Sequence, residues 1–145
     1  MNRKSVRVIA ICVFRHGNRI LTCDYLDEPE MGPFYRPLGG KVEFGEKTID
    51  TVRREIREEI GQEVTDLKLL TVLENIFSHE DDHGHEIVYV YDGKFTDPSV
   101  YQQAAITVNE DDILVMTARW HELDFFNDYH RLVPNGLLPL LKKPG

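Results

Sequence analysis

Gly40-Lys-Val-Glu-Phe-Gly-Glu46 and, after seven residues, Arg54-Glu-Ile-Arg-Glu-Glu-Ile-Gly61 decide how this chain is read. The second half has helical character. Ile49, Val52, Ile56 and Ile60 recur at helical spacing and form an apolar stripe. Glu55, Glu58 and Glu59 stand at i, i+3 and i+4, which at about 100° per residue places them in one sector roughly 100° wide. Arg53, Arg54 and Arg57 occupy the other flank of the stripe. Like charges at these spacings repel and lower helix stability unless a cation sits among them. A hard divalent ion such as Mg²⁺ prefers carboxylate oxygens and answers that need. The plainer alternative is a solvated acidic face, with Arg54 partnering Glu58 at i+4. The sequence upstream of the helix, with the pair Gly39-Gly40 and then Glu46, favours the site.

The segment resembles the Nudix box, G-x5-E-x7-R-E-U-x-E-E-x-G-U with U bulky and aliphatic, and matches every fixed position but the last. From ordinary residue frequencies such a match arises by chance on the order of once in 10⁹ starting points. There are two departures. Gln62 stands where the family has an aliphatic residue, at a packing position after the helix. Leu38 stands directly before the glycine pair, where many members have proline. The resemblance implies a single Nudix domain over residues 1–145, with an α/β fold in which helices sandwich a mixed β-sheet. It implies Glu55, Glu58 and Glu59 as catalytic metal ligands, with the Gly40 carbonyl as a further ligand. Glu46 and Arg54 take a structural role, tying the loop to the helix, and Gly61 ends the helix. Mg²⁺ is the implied cofactor, with Mn²⁺ as its substitute.

The chemistry follows from the residue types. Splitting a pyrophosphate link is slow because anionic phosphates repel the incoming water, and cations that neutralise the phosphate oxygens remove that barrier. Close carboxylates on a rigid helix hold such a cation while leaving coordination positions free. The expected function is therefore a Mg²⁺-dependent pyrophosphohydrolase. Its substrate would be a nucleoside diphosphate linked to a group X, giving a nucleoside monophosphate, or the corresponding phosphate, and phospho-X. Two alternatives come from the same family: a non-catalytic nucleotide sensor, which commonly lacks box carboxylates, and an RNA 5′-pyrophosphohydrolase. The general base stays open between a box glutamate and Glu110, Asp111 or Asp112.

Substrate-side residues are read more loosely. Arg36 stands near the glycine pair and could reach phosphate. Tyr25, Tyr35, Phe34 and Phe77 could stack on a base, although core packing is the commoner fate of an aromatic ring. His85 and Glu86 enter a strand after the acidic, histidine-containing run of residues 78–84. That run reads as an exposed turn rather than a transition-metal site. In the family, proline or tyrosine some 15–18 residues past the box marks particular substrates; Ile76, Phe77, Ser78, His79 and Glu80 stand there instead.

Composition fits this reading. The 145 residues, 41% hydrophobic and 29% charged, suit one globular domain with its own core. A net charge of −8 disfavours nucleic acid, whose binding needs basic surface. Cys12 and Cys23 lie in strand-like segments and read as reduced, buried thiols. Val6–Phe14 is too short for a bilayer and carries Arg7, so it reads as a strand buried on both faces, with no membrane partner and a cytoplasmic location. The expected partner is a nucleotide-derived small molecule. Many family members dimerise, so a homodimer is open, although nothing in the chain marks an interface.

Coarse patterning gives a hairpin partner at Arg19–Tyr25 after the His16-Gly17-Asn18 turn and a polar loop at 26–32. Extended structure follows over Phe34–Phe44, broken at Pro37 and at the glycines. The helix ends near Ile60. One or two strands cover Val64–Phe77 and another His85–Phe95, and residues 96–112 form a long loop. A strand at Ile113–Trp120 and a helix at Asn135–Lys142 close the chain.

Overall fold

A computed structural model describes residues 4–27, 32–79, 82–110 and 114–143. Its elements run β1 (Val6–His16), β2 (Arg19–Tyr25), β3 (Phe34–Arg36), β4 (Leu38–Lys41), α1 (Thr48–Ile60), β5 (Val64–His79) and β6 (Asp82–Phe95). After a 3₁₀ turn at Pro98–Gln102 come β7 (Ala105–Glu110) and β8 (Leu114–Glu122), a second 3₁₀ turn at Leu123–Phe125, β9 (Arg131–Leu132) and α2 (Leu137–Lys142).

β1 organises everything else. It lies between β4, antiparallel to it, and β6, parallel to it, and β6 carries β5 antiparallel at the edge. β1 meets β2 only at Arg15–Ile20 and His16–Arg19. Beyond that turn β2 pairs with β8 and β3, β8 carries β7, and β3 carries β9 in parallel. The sheet is mixed, as expected.

The uninterrupted apolar run of β1 now has its reason. Alternate residues of a strand point to opposite faces, and both faces are covered. Ala10, Cys12 and Phe14 join Val52 and Ile56 of α1 in one buried cluster, where Phe14 stacks on Phe95 with centroids 3.9 Å apart. Ile9, Ile11 and Val13 join Val88, Val90, Phe126, Leu137 and Leu141 in a second cluster beneath α2. Helices thus lie on both sides of the sheet. Cys12 and Cys23 are free and buried. Burial, then Glu110, pushes the Cys23 thiol up to about 12, so it is a packing residue rather than a nucleophile.

Four sequence expectations need correction. The glycine pair does not break the extended segment: Gly39 and Gly40 pair with Ile11 and Ala10 inside β4. The run 78–84 is not simply a turn, since the antiparallel ladder continues through Phe77–Gly84, Ser78–His83 and His79–Asp82. Polar residues there suggested a turn, but a two-stranded edge exposed to water accepts polar side chains. Of the expected long loop at 96–112, residues 96–110 hold a 3₁₀ turn and β7, and 111–112 lie outside the described residues. Finally, α2 begins at Leu137, after a left-handed Gly136.

Candidate active site

Helix α1 positions the box residues. Its buried side includes Val52 and Ile56, and it ends where Gly61 adopts φ 67°, donating its N–H to the Arg57 carbonyl at 2.9 Å. That left-handed conformation is one glycine adopts without a Cβ penalty. Asp50 in the first turn and Arg57 in the last both suit the helix dipole.

The three glutamates are graded in depth. Glu59 is 4% exposed, and its Oε1 accepts a hydrogen bond from the Gly39 N–H at 3.1 Å. Glu55 is half-buried, and Glu58 stands in solvent at 59% side-chain exposure. Burial, then the neighbouring Glu55, pushes the Glu59 carboxyl up to about 8, while Arg36 and the Gly39 N–H oppose the rise. Glu55 is raised too, by burial, with Arg54 opposing. The Arg54 and Arg36 guanidinium groups offset this only in part, since both carboxyls stay raised.

Gly40 makes the pairing possible. A Cβ built there would lie 2.6 Å from both Glu55 carboxylate oxygens. Only glycine lets the β4 backbone approach the carboxylate so closely. A carboxylate, a second buried carboxylate and an adjacent backbone carbonyl form an all-oxygen donor set suited to a hard divalent ion.

Arg54 is the cation present among these groups. Its Nε and Nη2 donate to the two Glu46 oxygens at 2.8 and 3.0 Å, and Nη2 also donates to the Lys41 carbonyl at 3.0 Å. Its Nη1 donates to Glu55 at 2.8 Å and Glu58 at 3.2 Å. Among the described residues, no three acidic, histidine or cysteine side chains converge tightly enough to hold an ion as they stand. Arg54 occupies the space between Glu55 and Glu58 that convergence would need. Its anchors on Glu46 and the Lys41 carbonyl are separate from its bonds to Glu55 and Glu58. Glu46 is in turn locked by Arg54, then by the Thr51 hydroxyl at 2.6 Å, and these hold its carboxyl down at about 2.

Opposite α1 stands a second wall. Arg36 of β3 and Asn109 and Glu110 of β7 face the glutamates across a cleft of about 600 Å³ that also includes Lys41 and Glu43. The Tyr25 hydroxyl donates to Glu110 Oε1 at 2.5 Å. Arg36 Nη2 donates to the Tyr25 oxygen at 3.3 Å and lies 3.6 Å from Glu110 Oε1. Beyond Arg36 a cavity of about 270 Å³ opens over Ile9, Ile11, Phe34, Phe77 and Val88. Its polar edge is a chain in which Arg7 and Asn75 both donate to Glu86, at 2.9 and 3.2 Å. Phe77 reaches this cavity because its ring lies over Gly84, where a Cβ would collide with it.

Of the residues singled out in the sequence, Gly40, Glu55, Glu58, Glu59, Arg54 and Arg36 share the cleft, and Phe77 lines the adjoining cavity. Tyr35 is brought to neither: it is 3% exposed in an aromatic cluster with His121, Phe125 and Phe126. Nor is His85, which is partly buried with its Nε2 enclosed and unpartnered. Tyr25, instead of offering a free stacking face, is stacked on Phe34 at 4.6 Å. Among the possible bases, Glu110 lines the cleft, whereas Asp111 and Asp112 lie outside the described residues. Asn109 and the apolar floor of the second cavity were missed. The period-two pattern of Ile106 and Val108, both buried, was the signal for the strand that delivers Asn109.

Comparison with known proteins agrees with this fold. The family model for the NUDIX domain matches residues 3–140. A MutT NUDIX hydrolase from Burkholderia pseudomallei superposes with a TM-score of 0.65 at 25% identity, over 94% of this chain and 97% of that one. A NUDIX hydrolase from Nitrosomonas europaea gives 0.64 at 17% identity, over 94% and 86%. The E. coli ORF135 protein gives 0.56 at 17% identity over the same shares. Among the described residues, no helix is long and apolar enough to cross a membrane.

Proposed function

The chain belongs to the NUDIX family, and we propose that it is a Mg²⁺-dependent pyrophosphohydrolase that cleaves a nucleoside diphosphate joined to another group X. The products are a nucleoside monophosphate, or the corresponding phosphate, and phospho-X. The observation that carries this reading is Glu59, a buried carboxyl held against Glu55 and the β4 backbone at the floor of an open cleft. Burying acid beside acid is costly unless a cation completes the site.

Glu55, Glu58, Glu59 and the Gly40 carbonyl would hold the ion. When bound, a divalent cation neutralises phosphate oxygens and lowers the pKa of water in its shell. The protein's own part is positioning. The Gly39 N–H orients Glu59, so this carboxylate keeps one rotamer. The Arg54–Glu46 pair fixes the loop of residues 42–47 against α1, which sets the distance between β4 and the helix. Lys41 and Arg36 stand in the cleft as cations for phosphate charge that the ion leaves uncovered.

The test is hydrolysis with and without Mg²⁺ across sugar nucleotides, ADP-ribose, dinucleotide cofactors, dinucleoside polyphosphates and nucleoside triphosphates, each beside Glu59→Gln. The variant should fold normally by circular dichroism and lose turnover at least about a hundredfold, roughly 2.7 kcal/mol of barrier. The member of the panel turned over fastest names X. Near-normal turnover in the variant would sink the metal-ligand assignment, and nucleotide binding with no turnover anywhere would move the reading to a sensor.

A further inference from the structure

We infer that Arg36 is the substrate's anion receptor, held between the metal cleft and the apolar cavity by Tyr25 and Glu110. The inference rests on the hydrolase reading for its substrate but on separate residues for its geometry. Arg36 lines both cavities, so a ligand that occupies the two together passes its guanidinium. One edge of the guanidinium is tethered, with Nη2 bonded to the Tyr25 oxygen and close to Glu110. Nε, on the same edge as Nη2, is enclosed by protein and has no hydrogen-bond partner, while the side chain as a whole is 31% exposed. The exposed part of the guanidinium is what a bound anion meets, and a charged donor there strengthens the contact. Arginine's planar fork suits a phosphate oxygen, and its charge does not depend on pH.

The tether has its own logic. The Tyr25 hydroxyl accepts from Arg36 and donates to Glu110, so one hydroxyl links the two charged groups. The Tyr25 ring is fixed by stacking on Phe34, and the Arg36 Cζ lies 5.8 Å from the ring centroid. Tyr25 and Glu110 are therefore positioning residues, and Arg36 is the group that touches substrate. A ligand read this way carries phosphate at Arg36 and an apolar or planar group immediately beyond it, over Ile9, Ile11 and Val88.

The experiment is calorimetric titration of imidodiphosphate, a non-hydrolysable pyrophosphate analogue, in the presence of Mg²⁺. The proteins compared are wild type, Arg36→Lys, Arg36→Gln, Tyr25→Phe and the Tyr25→Phe/Arg36→Gln double variant. Loss of a charged hydrogen bond should weaken binding roughly 10- to 100-fold in Arg36→Gln, with Arg36→Lys in between. Tyr25→Phe keeps the ring and should weaken binding about threefold to tenfold. It should add nothing in the Arg36→Gln background, because it acts through the arginine. With the fastest substrate of the panel, KM should rise in Arg36→Gln while kcat stays within about threefold, in contrast to Glu59→Gln. Wild-type binding in Arg36→Gln, no binding by the wild type, or an additive double variant would each overturn the inference. Arginine-dependent binding with no turnover in any protein would leave it standing and defeat the hydrolase reading alone.

Discussion

The wall of the cleft built on α1 comes from one continuous run, Gly40–Gly61, whereas the wall facing it draws Arg36 from β3 and Glu110 from β7, tied together by Tyr25 of β2. The first is acidic and crowded, with Glu55 and Glu59 packed against the β4 backbone. The second sets its arginine against one tyrosine and one carboxylate. The difference separates two tasks. Helical spacing can repeat a charge at i, i+3 and i+4 cheaply and rigidly, so it suits an ion that needs several oxygens. Strands from distant parts of the chain can offer unlike side chains at one point, which suits reading a particular ligand.

The largest stability effect expected from the acidic wall is a pH slope. The Glu59 carboxyl is raised from about 4.3 in an unfolded chain to about 8 in the fold. Between those values the folded protein holds a proton that the unfolded chain has released, so stability falls as pH rises through the window. Below about 4.3 and above about 8 this group adds no slope. The effect has a ceiling of about 5 kcal/mol. Metal-free protein should therefore lose melting temperature from pH 5 to pH 8, Glu59→Gln should flatten that loss, and Mg²⁺ should stabilise more at pH 8 than at pH 5. Glu46, on the loop before α1, acts in the opposite sense. Its carboxyl is held at about 2, so its contribution is present above about 4.3 and is lost as pH falls towards 2. A flat metal-free profile from pH 5 to 8 would show that Glu59 is not confined as described.

Next in size is Arg54→Ala. It removes the donor shared by Glu46, Glu55, Glu58 and the Lys41 carbonyl. The guanidinium is 23% exposed, so solvent recovers part of the loss. The expected cost is roughly 1–3 kcal/mol, seen as a melting temperature lower by several degrees. Activity should fall with it, because the loop of residues 42–47 loses its tie to the helix. Unchanged stability would mean that the Thr51 hydroxyl and the Glu43 N–H, which donate to Glu46 at 2.6 and 3.2 Å, alone hold it.

How much of this was legible in the sequence follows from the same contrast. α1 could be read because its apolar stripe and its charges share one period over thirteen residues. β1 could be read because nine consecutive residues, from Val6 to Phe14, hold a single charge. β7 was harder to read, since its period-two signal rests on Ile106 and Val108 alone of six residues. The second wall was out of reach for a further reason. Tyr25, Arg36 and Glu110 have no spacing relation along the chain, and only the pairing of β2 with β3 and β8, and of β8 with β7, brings them together. Phe77 was flagged for its chemistry, but its route to the apolar cavity depends on Gly84 across the hairpin, within a segment that polar composition disguised as a turn.

The smallest effect should come from Arg57, three residues beyond Arg54 on the same helix. It forms two 2.7 Å bonds to Glu63, shorter than any made by Arg54. Both partners, however, are more than half exposed, at 60% and 57%. Water and salt replace most of what such a pair provides, and ordering two long side chains costs entropy. Its remaining benefit is a positive charge at the helix C-terminus, itself screened. Arg57→Ala should shift the melting temperature by no more than about 2 °C, with activity unchanged, and the small shift should vanish in high salt. A loss as large as that of Arg54→Ala would mean that bond length, not enclosure, decides the worth of an ion pair on this helix. The acidic wall would then depend on its exposed flank as much as on its buried floor.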